Sequence, residues 1–172
     1  MISKKIQDLF ECSTQEKLET IVELSAAGSN RKYFRLKGER STFIVAWGGS
    51  LDENRAFCKI AEHFSAKGLN VPKVLAYAED FSCYLQEDLG DQSLFDCIKQ
   101  TRTSSNDFPQ KTKSYLQKTI QHLPKMQFDG AKGFDFSVCY PVSEFDKRSI
   151  FWDLNYFKDC FLKPSGVYFS EE

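Results

Sequence analysis

Arg31 and Arg35 flank Tyr33 in the run Ser29-Asn30-Arg31-Lys32-Tyr33-Phe34-Arg35. In an extended strand, residues two apart share a face, so both guanidinium groups would point the same way, toward an anion such as phosphate. Their plainer reading is a solvated strand edge. Just upstream, Gly28 permits positive φ, and successive amides at Ser29 and Asn30 would face the same anion. Gly-Ser-Asn is also ordinary hairpin-turn chemistry. A second stretch, Cys83-Tyr84-Leu85-Gln86-Glu87-Asp88-Leu89-Gly90-Asp91-Gln92-Ser93, is an apolar strand that stops at an acidic pair and a glycine, then restarts as a helix. A strand leaving a sheet edge offers a C=O and an N–H two residues apart, enough to hold the edge of a flat ligand. Its plainer reading is a strand ending in an acidic turn.

The elements that would position these residues follow from periodicity. Ile2, Ile6, Leu9 and Phe10 mark a short amphipathic helix. Leu18–Leu24, Lys32–Leu36 and Thr42–Trp47 read as three strands joined by turns at Ala27-Gly28-Ser29-Asn30 and Lys37-Gly38-Glu39-Arg40. A helix opens at Asp52, carries Ala56, Phe57, Ile60, Ala61 and Phe64 on one face, and ends at Lys67-Gly68. Strands through Val74–Tyr77 and Phe81–Gln86 follow. Beyond Gly90 the chain turns helical: Ser93 caps a helix through Lys99 with Asp96 as its acidic partner, Thr101–Pro109 is a polar loop, and Leu116, Ile120 and Leu123 mark a helix that Pro124 should stop. Phe128–Pro141 reads as loop. Ile150, Leu154, Phe157 and Phe161 share a face of a last helix; aromatics at that spacing are expected to pack in a core, the alternative for Trp152, Tyr156 and Phe157 being contact with a sugar ring.

Bulk composition sets limits. With 172 residues, 41% hydrophobic and 27% charged, the chain has the make-up of a globular protein, and 16 phenylalanines favour a packed interior. Net charge is −1 with no basic block, which argues against a nucleic-acid or anionic-membrane footprint. No apolar run approaches about 18 residues and the first ten residues are too polar for a signal peptide, so a soluble, cytoplasmic chain is expected. The six cysteines are irregularly spaced and the two histidines, His63 and His122, stand far apart, so a zinc module is not indicated; the cysteines read as small hydrophobes.

The order of these elements, with Ser29–Arg35, Asp52-Glu53-Asn54-Arg55-Ala56-Phe57, Gly68–Leu75 and Leu85-Gln86-Glu87-Asp88-Leu89-Gly90, resembles the aminoglycoside phosphotransferase-like kinases. Within them the chain looks most similar to the sugar kinases acting on N-acetylmuramate or N-acetylglucosamine. The resemblance covers roughly residues 20–100. It implies an α+β, protein-kinase-like fold: a five-stranded antiparallel N-lobe with one main helix over residues 1–89, then the first helices of an incomplete C-lobe over 90–172. It implies ATP with Mg²⁺ as cofactors and an amino-sugar-like small molecule as acceptor. Gly28, Ser29, Asn30, Arg31 and Arg35 would attend the phosphates. Glu87 C=O and Leu89 N–H would hold the adenine edge, Gln86 would guard the pocket, and Val45 or Ala46 with Leu85 would line it. Glu53 falls where the family places its helix glutamate.

One departure stands out. Kinases of this broad fold set a third-strand lysine against that glutamate, but Phe43-Ile44-Val45-Ala46-Trp47 contains none, and Glu53 also suits the start of its helix through the dipole. Nor does Gly90–Glu172 offer the family's catalytic aspartate with a downstream asparagine, or a convincing metal-binding aspartate: Asp153-Leu154-Asn155 lies in a helix, and Asp135-Phe136-Ser137 lacks a preceding catalytic loop. The expectation is therefore the N-terminal part of a phosphotransferase, with metal ligands outside this chain and no catalytic residue within it. The alternatives are a catalytically inactive kinase remnant that binds a nucleotide or a protein, and a structural domain that self-associates through its C-lobe helices.

Overall fold

In the computed structural model, residues 2–25, 30–101 and 109–170 are described. The chain divides into two compact units, Met1–Asp135 and Phe136–Glu172. The first begins with helix α1 (Ile2–Thr14), then strands β1 (Leu18–Leu24), β2 (Lys32–Gly38) and β3 (Thr42–Trp47), helix α2 (Leu51–Ala66), and strands β4 (Val74–Tyr77) and β5 (Cys83–Glu87). Helices α3 (Leu94–Thr101) and α4 (Gln110–Pro124) follow. The five strands form one antiparallel sheet in the order β1-β2-β3-β5-β4, so the chain leaves β3, crosses through α2 and returns to the far edge before β5 fills the gap. The fold is α+β.

Alternation along the strands gives the sheet two different faces. On one, Leu36, Val45, Cys83 and Leu85 are buried against Ile6 and Phe10, which lie one helical turn apart on α1. Phe10 meets Phe43 edge-on at 6.3 Å, and Gly38 must be glycine because a Cβ there would lie 2.8 Å from the Phe10 ring. Lys5 holds Asp80 at 2.7 Å, tying α1 to the β4–β5 turn. On the other face Ala46 and Tyr84 pack against Cys58 of α2, with Phe57 stacked on Tyr84 at 4.8 Å.

Helix α2 starts where Gly48 and Gly49, at φ +80° and +77°, turn the chain out of β3 and Ser50 accepts the Glu53 amide. Its buried Asn54 donates to the carbonyls of Gly48 (2.9 Å) and Phe81 (2.8 Å), joining the β3 exit to the β4–β5 turn. Satisfying two backbone acceptors with one buried amide explains a polar residue in an otherwise apolar helix face.

Helix α4 ends at Pro124, as the sequence predicts, but the proline keeps helical dihedrals (φ −59°, ψ −38°), and the chain continues as a wider turn over Lys125–Asp129, closed by Gly130 N–H to Lys125 C=O at 3.1 Å. The Ser93–Asp96 cap forms in both directions, Asp96 N–H to Ser93 Oγ and Ser93 N–H to Asp96 Oδ2, each at 3.1 Å. Most of the 101–109 stretch lies outside the described residues.

The second unit holds a 3₁₀ turn (Phe136–Val138), helix α5 (Lys147–Phe157) capped by Asp146, a π turn (Lys158–Leu162) and the short α6 (Lys163–Ser165). Here the helical aromatics are not core: Trp152 is 74% exposed and Tyr156 65%, and Ile150, Leu154, Phe157 and Phe161 are exposed too. So few residues around one helix cannot cover an apolar face. Among the described residues, no helix is long and apolar enough to cross a membrane.

Candidate functional site

The face of the sheet that carries α2 collects the polar groups. Its rows follow from register: Tyr33 lies opposite Ala46, which lies opposite Tyr84; Arg35 lies opposite Ile44, which lies opposite Gln86. Arg31 and Arg35 fall on this face, as their spacing predicts, but they do different things.

Arg35 reaches along the sheet to the end of β5. Its Nε donates to Asp88 Oδ2 at 2.7 Å and its Nη2 to Asp88 Oδ1 at 3.1 Å, while Nη1 meets Asp91 at 2.7 Å. Asp88 Oδ1 also accepts from the Gly90 amide at 2.9 Å, which folds the exit of β5 into a tight turn, with Gly90 at φ +83°. Partial burial pushes the Asp88 carboxyl up, but the Arg35 hydrogen bonds and the Gly90 amide outweigh it, and the net shift is downward. The cation expected to face phosphate is thus engaged with two carboxylates, and Glu87–Gly90 is held against β2.

Arg31 turns the other way, toward α2. Its Nη2 lies 2.8 Å from Glu53 Oε1, and its side chain is only 10% exposed. The guanidinium sits 5.9 Å from the Phe57 ring centre, at cation–π distance. The stem passes Gly49 so closely that a Cβ there would lie 3.1 Å from Arg31 Cγ. Burial acts to lower the Arg31 pKa, yet Tyr33, Tyr84 and Glu53 together raise it, so the group is a fixed cation. Burial also drives the Tyr84 hydroxyl far up and pushes the Cys58 thiol up to about 12, leaving both neutral neighbours.

The remaining expected residues separate by strand parity. Ala46 lies on this face, fully buried beside Tyr84. Val45 and Leu85 do not: both are fully buried in the opposite core with Ile6 and Phe10, because residues one apart in a strand point to opposite faces. Neither lines this surface. Gln86 is half-buried, and its Oε1 is shielded from solvent with no hydrogen-bond donor reaching it among the described residues. Glu87 is exposed and returns to β4, its amide donating to Lys73 C=O at 2.9 Å. Leu89 is 67% exposed. Asn30 is exposed just before β2, and Gly28 and Ser29 lie outside the described residues.

Asp88, Asp91 and Asn54 were not singled out in the sequence. The signal for Asp88 was present in its spacing to Gly90, since an aspartate two residues before a glycine commonly accepts that glycine's amide. Among the described residues, no three His, Cys, Asp or Glu side chains gather closely enough to hold a metal ion. Compared with known proteins, the chain matches no family model, and no curated sequence matches it.

Proposed function

We propose that this chain is the N-terminal part of an ATP-dependent phosphotransferase acting on a hydroxyl of a small molecule, an amino sugar being the favoured acceptor. The observation that carries the reading is the exit of β5: in a sheet ordered β1-β2-β3-β5-β4 with α2 inserted after β3, Glu87–Gly90 is fixed against β2 by Arg35 and Asp88. That strand order and insertion are what a protein-kinase-like N-lobe requires, and a clamped exit strand suits a hinge between lobes.

In this reading Glu87 C=O and Leu89 N–H hold the adenine edge. The shielded Gln86 Oε1, which lacks a donor, fits a site for an exocyclic amino group. Ala46 supplies apolar contact, and Gly28, Ser29 and Asn30, the first two outside the described residues, attend the phosphates. ATP supplies the phosphoryl group, with Mg²⁺ neutralising its charge; the described carboxylates Glu53, Asp88 and Asp91 are engaged with arginines, so the reading leaves the Mg²⁺ ligands to residues beyond these. Catalysis would then be positioning and charge neutralisation. Titration calorimetry with MgATP tests the reading: saturable 1:1 binding without phosphate release is expected, and either no binding or robust magnesium-dependent turnover by the 172-residue chain contradicts it.

A second reading, a structural domain that self-associates through its C-lobe helices, is favoured by the exposed aromatics of α5, above all Trp152 and Tyr156. Sedimentation equilibrium tests it, since mass rising with concentration supports self-association and a strict monomer counts against it.

A further inference from the structure

We propose that Gln86 of β5 selects the base: its side-chain oxygen accepts the exocyclic amino group of adenine and disfavours the oxo group that hypoxanthine or guanine carries at the same carbon. The inference rests on the nucleotide reading above and deepens it, from a bound nucleotide to the base that is admitted.

Sheet register explains why this oxygen has no partner. Gln86 lies opposite Ile44 of β3 and Val74 of β4, and its row continues through Ile44 to Arg35 of β2. Ile44 is buried and Val74 half-buried, and neither side chain carries a hydrogen-bond donor. Arg35 is the cation of that row, but its Nε, Nη1 and Nη2 are spent on Asp88 and Asp91. Asp88, two residues on along the same face, offers acceptors only. Gln86 Oε1 is thus shielded from solvent without a donor among the described residues. A buried acceptor left this way costs free energy that an N–H group of a ligand would recover.

Its place in the chain matches the donor it lacks. Gln86 immediately precedes Glu87, whose carbonyl in the nucleotide reading takes one hydrogen of the adenine amino group. That group carries a second hydrogen, and Gln86 Oε1 is the neighbouring acceptor. The residue as a whole is only half-buried, so a turn of its terminal amide brings Oε1 to the ligand, and the turn breaks no hydrogen bond at that oxygen. An oxo purine would set oxygen against oxygen, and Ile44 and Val74 supply no polar group to relieve the contact. Gln86 is a binding residue that sets specificity in this proposal.

Calorimetry of the full chain with MgATP and with MgITP, its oxo counterpart, provides the test, using Gln86→Met and Gln86→Leu. Wild type is expected to prefer MgATP. In Q86M the ratio of the two affinities should fall about three- to tenfold, the range of one hydrogen bond, with MgITP unchanged within about twofold. Preference that survives in Q86M belongs to the backbone of Glu87 and Leu89. Tm should hold or rise, because Q86M removes an acceptor that no described group satisfies. Equal affinities in wild type, or a ratio that Q86M leaves unchanged, would overturn the proposal. So would equal losses for both ligands: with a lowered Tm they mark a structural role, and at constant Tm an amide that turns either end to the base. Q86L decides where Q86M does not fold. Failure of both to fold also overturns the proposal, since the fold would then depend on the acceptor. Wild-type chain that binds neither ligand sinks the nucleotide reading itself, and the inference with it.

Discussion

Arg35 and Asp88, 53 residues apart in the chain, meet through two hydrogen bonds of 2.7 and 3.1 Å, so the end of β5 is fixed to the middle of β2 across the intervening strand. This bidentate contact, rather than backbone pairing alone, sets where the chain goes after Glu87. Removing Arg35 leaves Asp88 partly buried without its counter-ion, whereas removing Asp88 leaves Arg35 with the exposed Asp91 alone.

Arg35→Met and Asp88→Asn should each lower Tm by a few degrees, and the double variant should lose less than the two single losses combined. Amide exchange at 88–91 should speed up in both. Additive losses, measured by calorimetric melting, would show that the two residues act independently.

The pair also predicts a pH dependence. The folded state depresses the Asp88 pKa below its ordinary 3.8, so its contribution to stability is fully present above that value and is lost as pH falls through the folded-state value. Wild type should therefore exceed D88N by a constant margin from about pH 7 to about pH 5, and the margin should shrink below about pH 4. A margin that stays constant through acid unfolding would contradict the assignment.

Asn54 is the buried polar residue whose loss should hurt most in the first unit. Asn54→Ala leaves the carbonyls of Gly48 and Phe81 without their donor, and should cost about 2–3 kcal/mol in urea unfolding. A loss below about 0.5 kcal/mol would place it among ordinary surface changes.

Thiol reactivity follows burial. Cys58 and Cys83 are fully buried, with the Cys58 thiol pushed up to about 12, whereas Cys12 and Cys160 are exposed. A disulfide reagent near pH 8 should modify Cys12 and Cys160 first and reach Cys58 and Cys83 only on addition of denaturant. Early modification of Cys58, located by peptide mass, would show that α2 opens from the sheet.

The strands were legible because each is short, rich in β-branched or aromatic residues and bounded by turn chemistry, so Leu18–Leu24 and Thr42–Trp47 could be read to the residue. Ile6 and Phe10 were equally plain as a helix face. Which face of the sheet each strand residue serves was harder: Val45 and Ala46 are both small, apolar and fully buried, and only the packing of α1 on one side and α2 on the other separates them. The two arginines of β2 could be placed on one face by spacing, but their partners, Asp88 and Glu53, come from distant segments that only folding brings near. The spacing of Ile150, Leu154, Phe157 and Phe161 predicted a helix correctly, yet periodicity says which residues share a face and not what covers it.

The central claim is that the β5 exit is an adenine-holding hinge, and hydrogen exchange with mass-spectrometric readout tests it most directly. With a saturating non-hydrolysable ATP analogue and Mg²⁺, the account predicts slowed exchange in the peptide spanning Gln86–Gly90, and in the segment leading into β2. Unchanged exchange between Gln86 and Gly90 at a concentration that saturates binding elsewhere on the chain would contradict it.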